Sequence, residues 1–163
     1  TALGDRPKVG IYWQSGLRNA SRGKHYAPIE AWENIFKVFG DRVDFINLQY
    51  GDCADELKLV REKFGVTILD WDDLDLRNDL EGVAALSAAL DLAIGPASAP
   101  GMFTFGVDTP TWWLLPIRPW WGFGRTDRPP FFARGRLIIG QVDDPWPGIM
   151  KELAGHLEAF LVP

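Results

Sequence analysis

Leu86 to Pro116 reads Leu-Ser-Ala-Ala-Leu-Asp-Leu-Ala-Ile-Gly-Pro-Ala-Ser-Ala-Pro-Gly-Met-Phe-Thr-Phe-Gly-Val-Asp-Thr-Pro-Thr-Trp-Trp-Leu-Leu-Pro. A helix ends near Leu90, and a short apolar strand, Leu92–Ile94, follows. After a turn of small residues come a second helix near Gly101–Phe105 and a strand Thr111–Leu115. Apolar runs separated by helices are the pattern of a parallel α/β sheet, whose strands are buried on both faces. In such sheets ligands sit beyond the carboxyl ends of the strands, where the next helix offers backbone N–H groups to an anion. Gly95-Pro96-Ala97-Ser98-Ala99-Pro100-Gly101 has side chains small enough to admit one. It is equally a tight strand-to-helix turn with no ligand at all.

The same grammar extends in both directions. Lys8–Trp13 is a first buried strand, opening into a loop Gln14–Ala27. Pro28 suits the first turn of a helix, and Ile29, Trp32, Ile35, Phe36 and Phe39 recur at helical spacing until Gly40. Val43–Gln49 is the second strand. Asp52 is a candidate N-cap for a helix with Leu57, Val60 and Phe64 inside, closed by Gly65. Val66–Leu69 is a third strand, and Asn78 with Glu81 is a capping-box pattern for the helix through Leu90. Ile117–Arg134, about 18 residues without clear period, is longer than an ordinary connection and suggests a functional loop. Arg136–Val142 is a last strand. A helix from Asp144-Pro145 puts Ile149, Met150, Leu153, Leu157, Phe160 and Leu161 on one side.

Right-handed crossovers then give a Rossmann-like α/β domain of about six parallel strands, order 3-2-1-4-5-6, with helices on both faces. The first and fourth strands flank the crevice. The 163 residues form one domain without internal repeat, and a start at Thr1 rather than methionine reads as a piece of a longer protein.

Composition narrows the function. A net charge of −5 argues against a general nucleic-acid binder, which needs clustered cations in excess. No window reads as a membrane span, and Thr1–Asp5 lacks the pattern of a secretory signal. One cysteine and two histidines allow neither a disulfide framework nor a zinc-type cluster, so the expected compartment is the cytoplasm. Without Gly-x-Gly-x-x-Gly, a Walker loop or Gly-x-Ser-x-Gly, a nicotinamide dehydrogenase, a P-loop enzyme and an α/β-hydrolase are disfavoured.

What remains is an anion site built from two loops. The first carries Ser15, Arg22, Lys24 and His25, a wall suited to a diphosphate because Lys supplies a point charge and Arg a bidentate fork. The second supplies Ser98, Ala99 and Gly101. His156, on the last helix, is expected to be structural or solvated. Asp70, Asp72, Asp73 and Asp75 read as a solvated loop rather than a metal site. Cys53, at the start of a helix, is a candidate for a lowered pKa, but no histidine lies near it in sequence.

The central run Ala88-Ala-Leu-Asp-Leu-Ala-Ile-Gly95 with Pro110-Thr-Trp-Trp-Leu-Leu-Pro116, and three further stretches, resemble the nucleotide-sugar-binding half of heptosyltransferase-like glycosyltransferases, family 9, and the likeness covers nearly the whole chain. Ser21-Arg-Gly-Lys-His-Tyr-Ala-Pro28 is similar to the family's loop after the first strand, with Lys24 in the place of its phosphate-contacting Lys. Leu48-Gln-Tyr-Gly-Asp52, followed by Asp55 and Glu56, resembles a Leu-Gln-x-Gly region whose acidic residue faces the nucleotide or sugar. Pro119-Trp-Trp-Gly-Phe-Gly-Arg-Thr-Asp-Arg-Pro-Pro-Phe-Phe132 resembles the Trp-rich loop of bacterial members that carry tetratricopeptide repeats.

The resemblance implies a GT-B glycosyltransferase half that binds a nucleotide-diphosphate sugar without metal or cofactor. Donor phosphates would meet Ser15, Arg22, Lys24, His25, Ser98, Ala99 and Gly101. Gln49, Gly51, Asp55 and Glu56 would meet the nucleotide or sugar. The catalytic base would come from another half, an N-terminal acceptor or repeat domain outside this chain. The family usually has an Asp-Thr pair and a His after the fourth strand. Gly95–Phe105 has neither acid nor His, which implies an altered donor site with Ser98 in the place of the Thr. The rival expectation is a catalytically inactive interaction domain that uses the Trp112–Phe132 surface.

Overall fold

The computed structural model describes residues 4–15, 26–119, 124–125, 127–141 and 145–162. Five parallel strands form the sheet: β1 (Lys8–Ile11), β2 (Asp44–Asn47), β3 (Leu92–Gly95), β4 (Thr111–Leu115) and β5 (Gly135–Ile139). Their spatial order is β2-β1-β3-β4-β5. The helices are α1 (Glu33–Phe39, entered through a 3₁₀ turn Ile29–Trp32), α2 (Ala54–Phe64), α3 (Leu80–Ala88), α4 (Ala99–Gly106) and α5 (Pro145–Leu161).

The expected crossover order holds, but a five-stranded sheet replaces the expected six. Val66–Leu69, the expected third strand, lies at the edge beside β2 and contributes only the bridge Ile46–Leu69. Its two bonds, Asn47 N to Leu69 O and Leu69 N to Phe45 O, are each 2.8 Å. Only Ile68 of this segment is fully buried, while Val66 and Leu69 pack half-buried against the two core layers. At the opposite edge, Leu137 N of β5 donates outward to Asp127 O at 2.9 Å.

Strand alternation divides the core into two layers. Val9, Ile11, Phe45, Ile94, Leu114 and Ile138 face α1, α2 and α5, with Trp32, Phe36 and Phe39 completing the larger layer. Phe36 meets Phe45 edge-on at 5.3 Å and stacks on Phe64 at 5.8 Å. On the other face, Tyr12, Ile46, Leu48 and Ala93 pack under α3, while Trp113, Leu115 and Leu137 pack under Phe105 of α4.

Helix boundaries depart from the expected ones for local reasons. Cys53, not Asp52, occupies the N-cap of α2, and Asp52 Oδ1 accepts the Ala54 amide at 3.3 Å from one residue further out. Asp79 is the N-cap of α3 and accepts from Gly82 N at 2.9 Å. Asn78 instead donates its side chain to Asp75 at 2.7 Å. Gly65 ends α2 in the left-handed conformation, φ 71°, that glycine adopts without strain. Phe160 is 37% exposed and meets Trp112 edge-on rather than entering the core.

Candidate functional site

Strand β1 is followed by β2 on one side and, after two crossovers, by β3 on the other, so the sheet reverses between β1 and β3. The ends of these strands carry the residues singled out in the sequence, and a crevice at such a switch point is where open α/β sheets bind ligands.

Gln49 holds the rim together. Its side-chain Oε1 accepts both Trp13 N (3.1 Å) and Gln14 N (2.9 Å), and its Nε2 donates to Tyr50 O at 3.0 Å. Buried at 2% exposure, it ties the loop after β1 to the loop after β2. Asn47 steers Gln49 in turn: Asn47 Oδ1 accepts Gln49 N at 2.8 Å, while Nδ2 donates to Asp70 Oδ1 at 3.1 Å. Glu56, from the first turn of α2, reaches this rim and accepts from Gln14 Nε2 at 3.2 Å. Asp55 is exposed one residue earlier. Of the two acids, Glu56 is the one brought beside the β1 loop.

Gly51 is exposed with φ 88° and lines a polar hollow of about 220 Å³ with Asn47, Gln49, Asp70 and Arg77. Cys53 lies on the same side. Burial pushes its thiol up to about 11, an Asn47 hydrogen bond works against this, and the nearby carboxylates of Asp70, Glu56 and Asp52 add to the rise. The helix start therefore does not yield the lowered pKa that the sequence suggested. Asp75 accepts the Arg77 and Asn78 amides and the Asn78 side chain, which hold its carboxyl below the usual range, the Asn78 side chain most of all.

On the β3 side, Ser98 is the N-cap of α4 in extended geometry, and its side chain makes no capping hydrogen bond. Its Oγ donates to Pro96 O at 3.4 Å. Ala99 and Pro100 form the first turn. The two glycines of this turn serve packing: a Cβ on Gly95 would collide with the Tyr12 carbonyl and ring, and one on Gly101 with Trp113 Nε1 and Tyr12 Oη. Tyr12 is fully buried, which drives its hydroxyl pKa far upward. The open side of the turn is the one presented by Ala99 and Pro100.

That side faces a cleft of about 300 Å³ lined by Leu48, Tyr50, Leu76, Arg77, Val83, Ser87, Ala99, Pro100 and Phe103. The same β2 loop thus borders both the polar hollow and this cleft, with Tyr50, Leu76 and Arg77 common to the two. A third hollow, about 440 Å³ and largely apolar, lies on the other side of Ser98 between Met102, Trp113, Pro129, Phe131 and Phe132.

Ser15 is half-buried at the end of the described β1 segment. Arg22, Lys24 and His25 lie outside the described residues, as do Trp120 and Trp121. Asn47, Arg77 and Ser87 were not among the expected site residues. Asn47 carried a signal, a polar side chain closing an apolar strand, whereas Arg77 and Ser87 enter the cleft only through the packing of α3. His156 sits on α5 against Trp112 at 6.0 Å and near Glu152 at 3.4 Å, away from this rim.

A glycosyl transferase family 9 structure from Veillonella parvula superposes with a TM-score of 0.70 over 98% of this chain and 47% of its own, at 16% identity. The chain shares its fold with about half of that structure. The E. coli heptosyltransferase WaaC with ADP shares that fold with a TM-score of 0.69 at 14% identity, over 95% of this chain and 44% of WaaC. The E. coli ADP-heptose lps heptosyltransferase II matches at 0.58 and 18% identity, over 98% of this chain and 48% of that one. In sequence, the chain is 37% identical over 158 residues to Protein FlbA of Caulobacter vibrioides. That match covers 97% of this chain and 26% of FlbA, so the chain spans about a quarter of that curated relative. No protein-family model matches the chain. Among the described residues, no helix is long and apolar enough to cross a membrane.

Proposed function

We propose that this chain is the donor-binding half of a GT-B glycosyltransferase and holds a nucleotide-diphosphate sugar at the β1–β3 switch point. The observation that carries the reading is the cleft between α3 and the first turn of α4, bordered by Leu48 and Tyr50 beyond the end of β2. Ser98, spared from capping its own helix, immediately precedes Ala99 and Pro100 of the cleft wall. The family 9 neighbours supply the ligand class: WaaC is described with ADP and with ADP-2-deoxy-2-fluoro heptose.

The diphosphate lies along the α4 N-terminus, where Ser98 and the Ala99 amide meet partial positive charge, and Arg22, Lys24 and His25 are the cations proposed to neutralise it. Glu56 and Gly51 border the nucleotide and sugar, and Gln49 acts through the loops it ties together. Charge on the departing diphosphate is balanced by amides and cations fixed in advance, so no metal is required. The catalytic base comes from the other half of the GT-B fold, outside this chain, and the partner is an N-terminal acceptor or repeat domain. The cytoplasm is the compartment, in keeping with the single cysteine.

Calorimetry with UDP, GDP and ADP tests this. Lys24→Ala weakens the bound nucleotide by about tenfold or more, the worth of one charged hydrogen bond. Unchanged affinity in a folded variant refutes the phosphate role. A wild-type chain that none of the three nucleotides stabilises, where a specific ligand at 100 times its Kd adds about 2.7 kcal/mol, refutes donor binding altogether.

The apolar hollow favours a second reading, an inactive interaction domain, because Phe131 is 73% and Met102 51% exposed beside it. Phe131→Asp would then disrupt association with the remainder of the protein, measured by sedimentation, while no nucleotide binds.

A further inference from the structure

β3, β4 and β5 succeed one another in the same direction across the sheet, so the right-handed crossover from β4 to β5 passes over the face that α4 covers. Among the described residues this crossover carries no helix. Pro129, Phe131 and Phe132 lie there instead, and with Met102 of α4 and Trp113 of β4 they line the apolar hollow of about 440 Å³. Phe132 stacks on Phe105 at 4.0 Å, which fixes one wall. Phe131 and Met102 are largely exposed, so the hollow is open to a side chain from outside.

The segment that shapes this hollow is cationic. Residues 117–136 hold five arginines, Arg118, Arg125, Arg128, Arg134 and Arg136, against one acid, Asp127, in a chain whose net charge is −5. All five are exposed, and among the described residues only Arg134, beside Asp108, has an acid partner. The opposite charge is gathered elsewhere: residues 70–81 hold six acids against one base, Arg77. Within that run Leu80 stands in the first turn of α3, 56% exposed, between Asp79 and Glu81. A projecting apolar side chain flanked by carboxylates thus matches an apolar hollow flanked by guanidinium groups.

Leu80 cannot serve the hollow of its own molecule, because α4 stands between them: α3 borders one side of α4 and the hollow lies on the other. We propose that the hollow is a docking site for a second copy of this chain, which inserts Leu80 beside Met102 and Phe131 and sets Asp79 and Glu81 against the arginines of the β4–β5 loop. The contact is heterologous, so each molecule keeps one surface of either kind for a further neighbour and copies add head to tail. Unlike charges set the orientation, and burial of the leucine supplies the strength. Neither Leu80 nor Phe131 lines the α3–α4 cleft, so the assignment is independent of donor binding.

Sedimentation equilibrium of wild type, Leu80→Asp, Phe131→Asp and an equimolar mixture of the two variants decides it. Both positions are exposed, and a circular dichroism spectrum like that of wild type verifies the fold of each variant. Wild type self-associates as its concentration rises, and raising salt from about 50 to about 500 mM weakens the association by screening the charges around the hollow. Each variant alone loses about tenfold or more in association constant, the worth of burying one large apolar side chain. The mixture forms a dimer and nothing larger, because Phe131→Asp still offers Leu80 and Leu80→Asp still offers the hollow. A mixture that stays monomeric, or a Leu80→Asp variant that associates like wild type, overturns the contact. A wild type that is monomeric at every concentration also overturns it, and leaves the hollow to the remainder of the protein.

Discussion

Replacing Gln49 with alanine isolates the bond that joins the two site loops. In the wild type one carbonyl oxygen accepts from Trp13 N and Gln14 N, the first buried and the second half-buried. The substitution removes both bonds and strands the buried Trp13 amide. A net contribution of about 1 kcal/mol per bond, with up to about 3 for a buried donor left unsatisfied, gives a loss of about 2–4 kcal/mol. For a domain of this size that corresponds to a fall in melting temperature of roughly 4–16 °C. Urea unfolding should show a lower midpoint with unchanged slope, because the surface exposed on unfolding is the same. Gln49→Glu keeps an acceptor for the two amides but loses the bond to Tyr50 O and buries a charge, so it should also destabilise. A loss below about 0.5 kcal/mol for Gln49→Ala would refute the view that this side chain braces the rim.

Other perturbations separate packing from ligand contact. Gly95→Ala should cost about 1–3 kcal/mol in urea unfolding, since the added methyl meets the Tyr12 backbone, which cannot swing away as a side-chain end can; a neutral result would reopen the turn to a ligand. Cys53 should alkylate with iodoacetamide far more slowly at pH 8 than a free cysteine, because its thiol is pushed up to about 11; rapid labelling of the folded protein would contradict this. The carboxyls of Glu158 (through Arg42), Asp75 and Glu33 (through Lys37) lie below their unfolded values, so each stabilises above the unfolded range and the benefit is lost as pH falls through the folded value. Melting temperature should therefore drop below about pH 4.5, and the deficit of Glu158→Gln at pH 7 should vanish in acid. A deficit independent of pH would rule out the ion pair as its source.

Strand order was legible because each central strand is buried on both sides and therefore reads as an uninterrupted apolar run. Val66–Leu69 has the same composition, yet it ends as one bridge, since whether an outer segment pairs fully depends on what covers it and not on its residues. The glycines of the β3–α4 turn carry a similar lesson. Small residues signal close approach, but what approaches Gly95 and Gly101 is Tyr12 and Trp113, supplied by other strands. Gln49 was found for its place in a motif, and the contacts that define it run to backbone amides that no pattern of residue types reveals.

The two outermost strands meet loop segments rather than open water, β2 through Leu69 and β5 through Asp127. An uncovered row of amides and carbonyls is a template on which a second molecule can continue the sheet. With a plug at either end, that route to assembly is obstructed, and polymerisation by strand addition would first require a loop to let go. Any companion this chain recruits must dock on side chains, which leaves its choice of companion to surface chemistry.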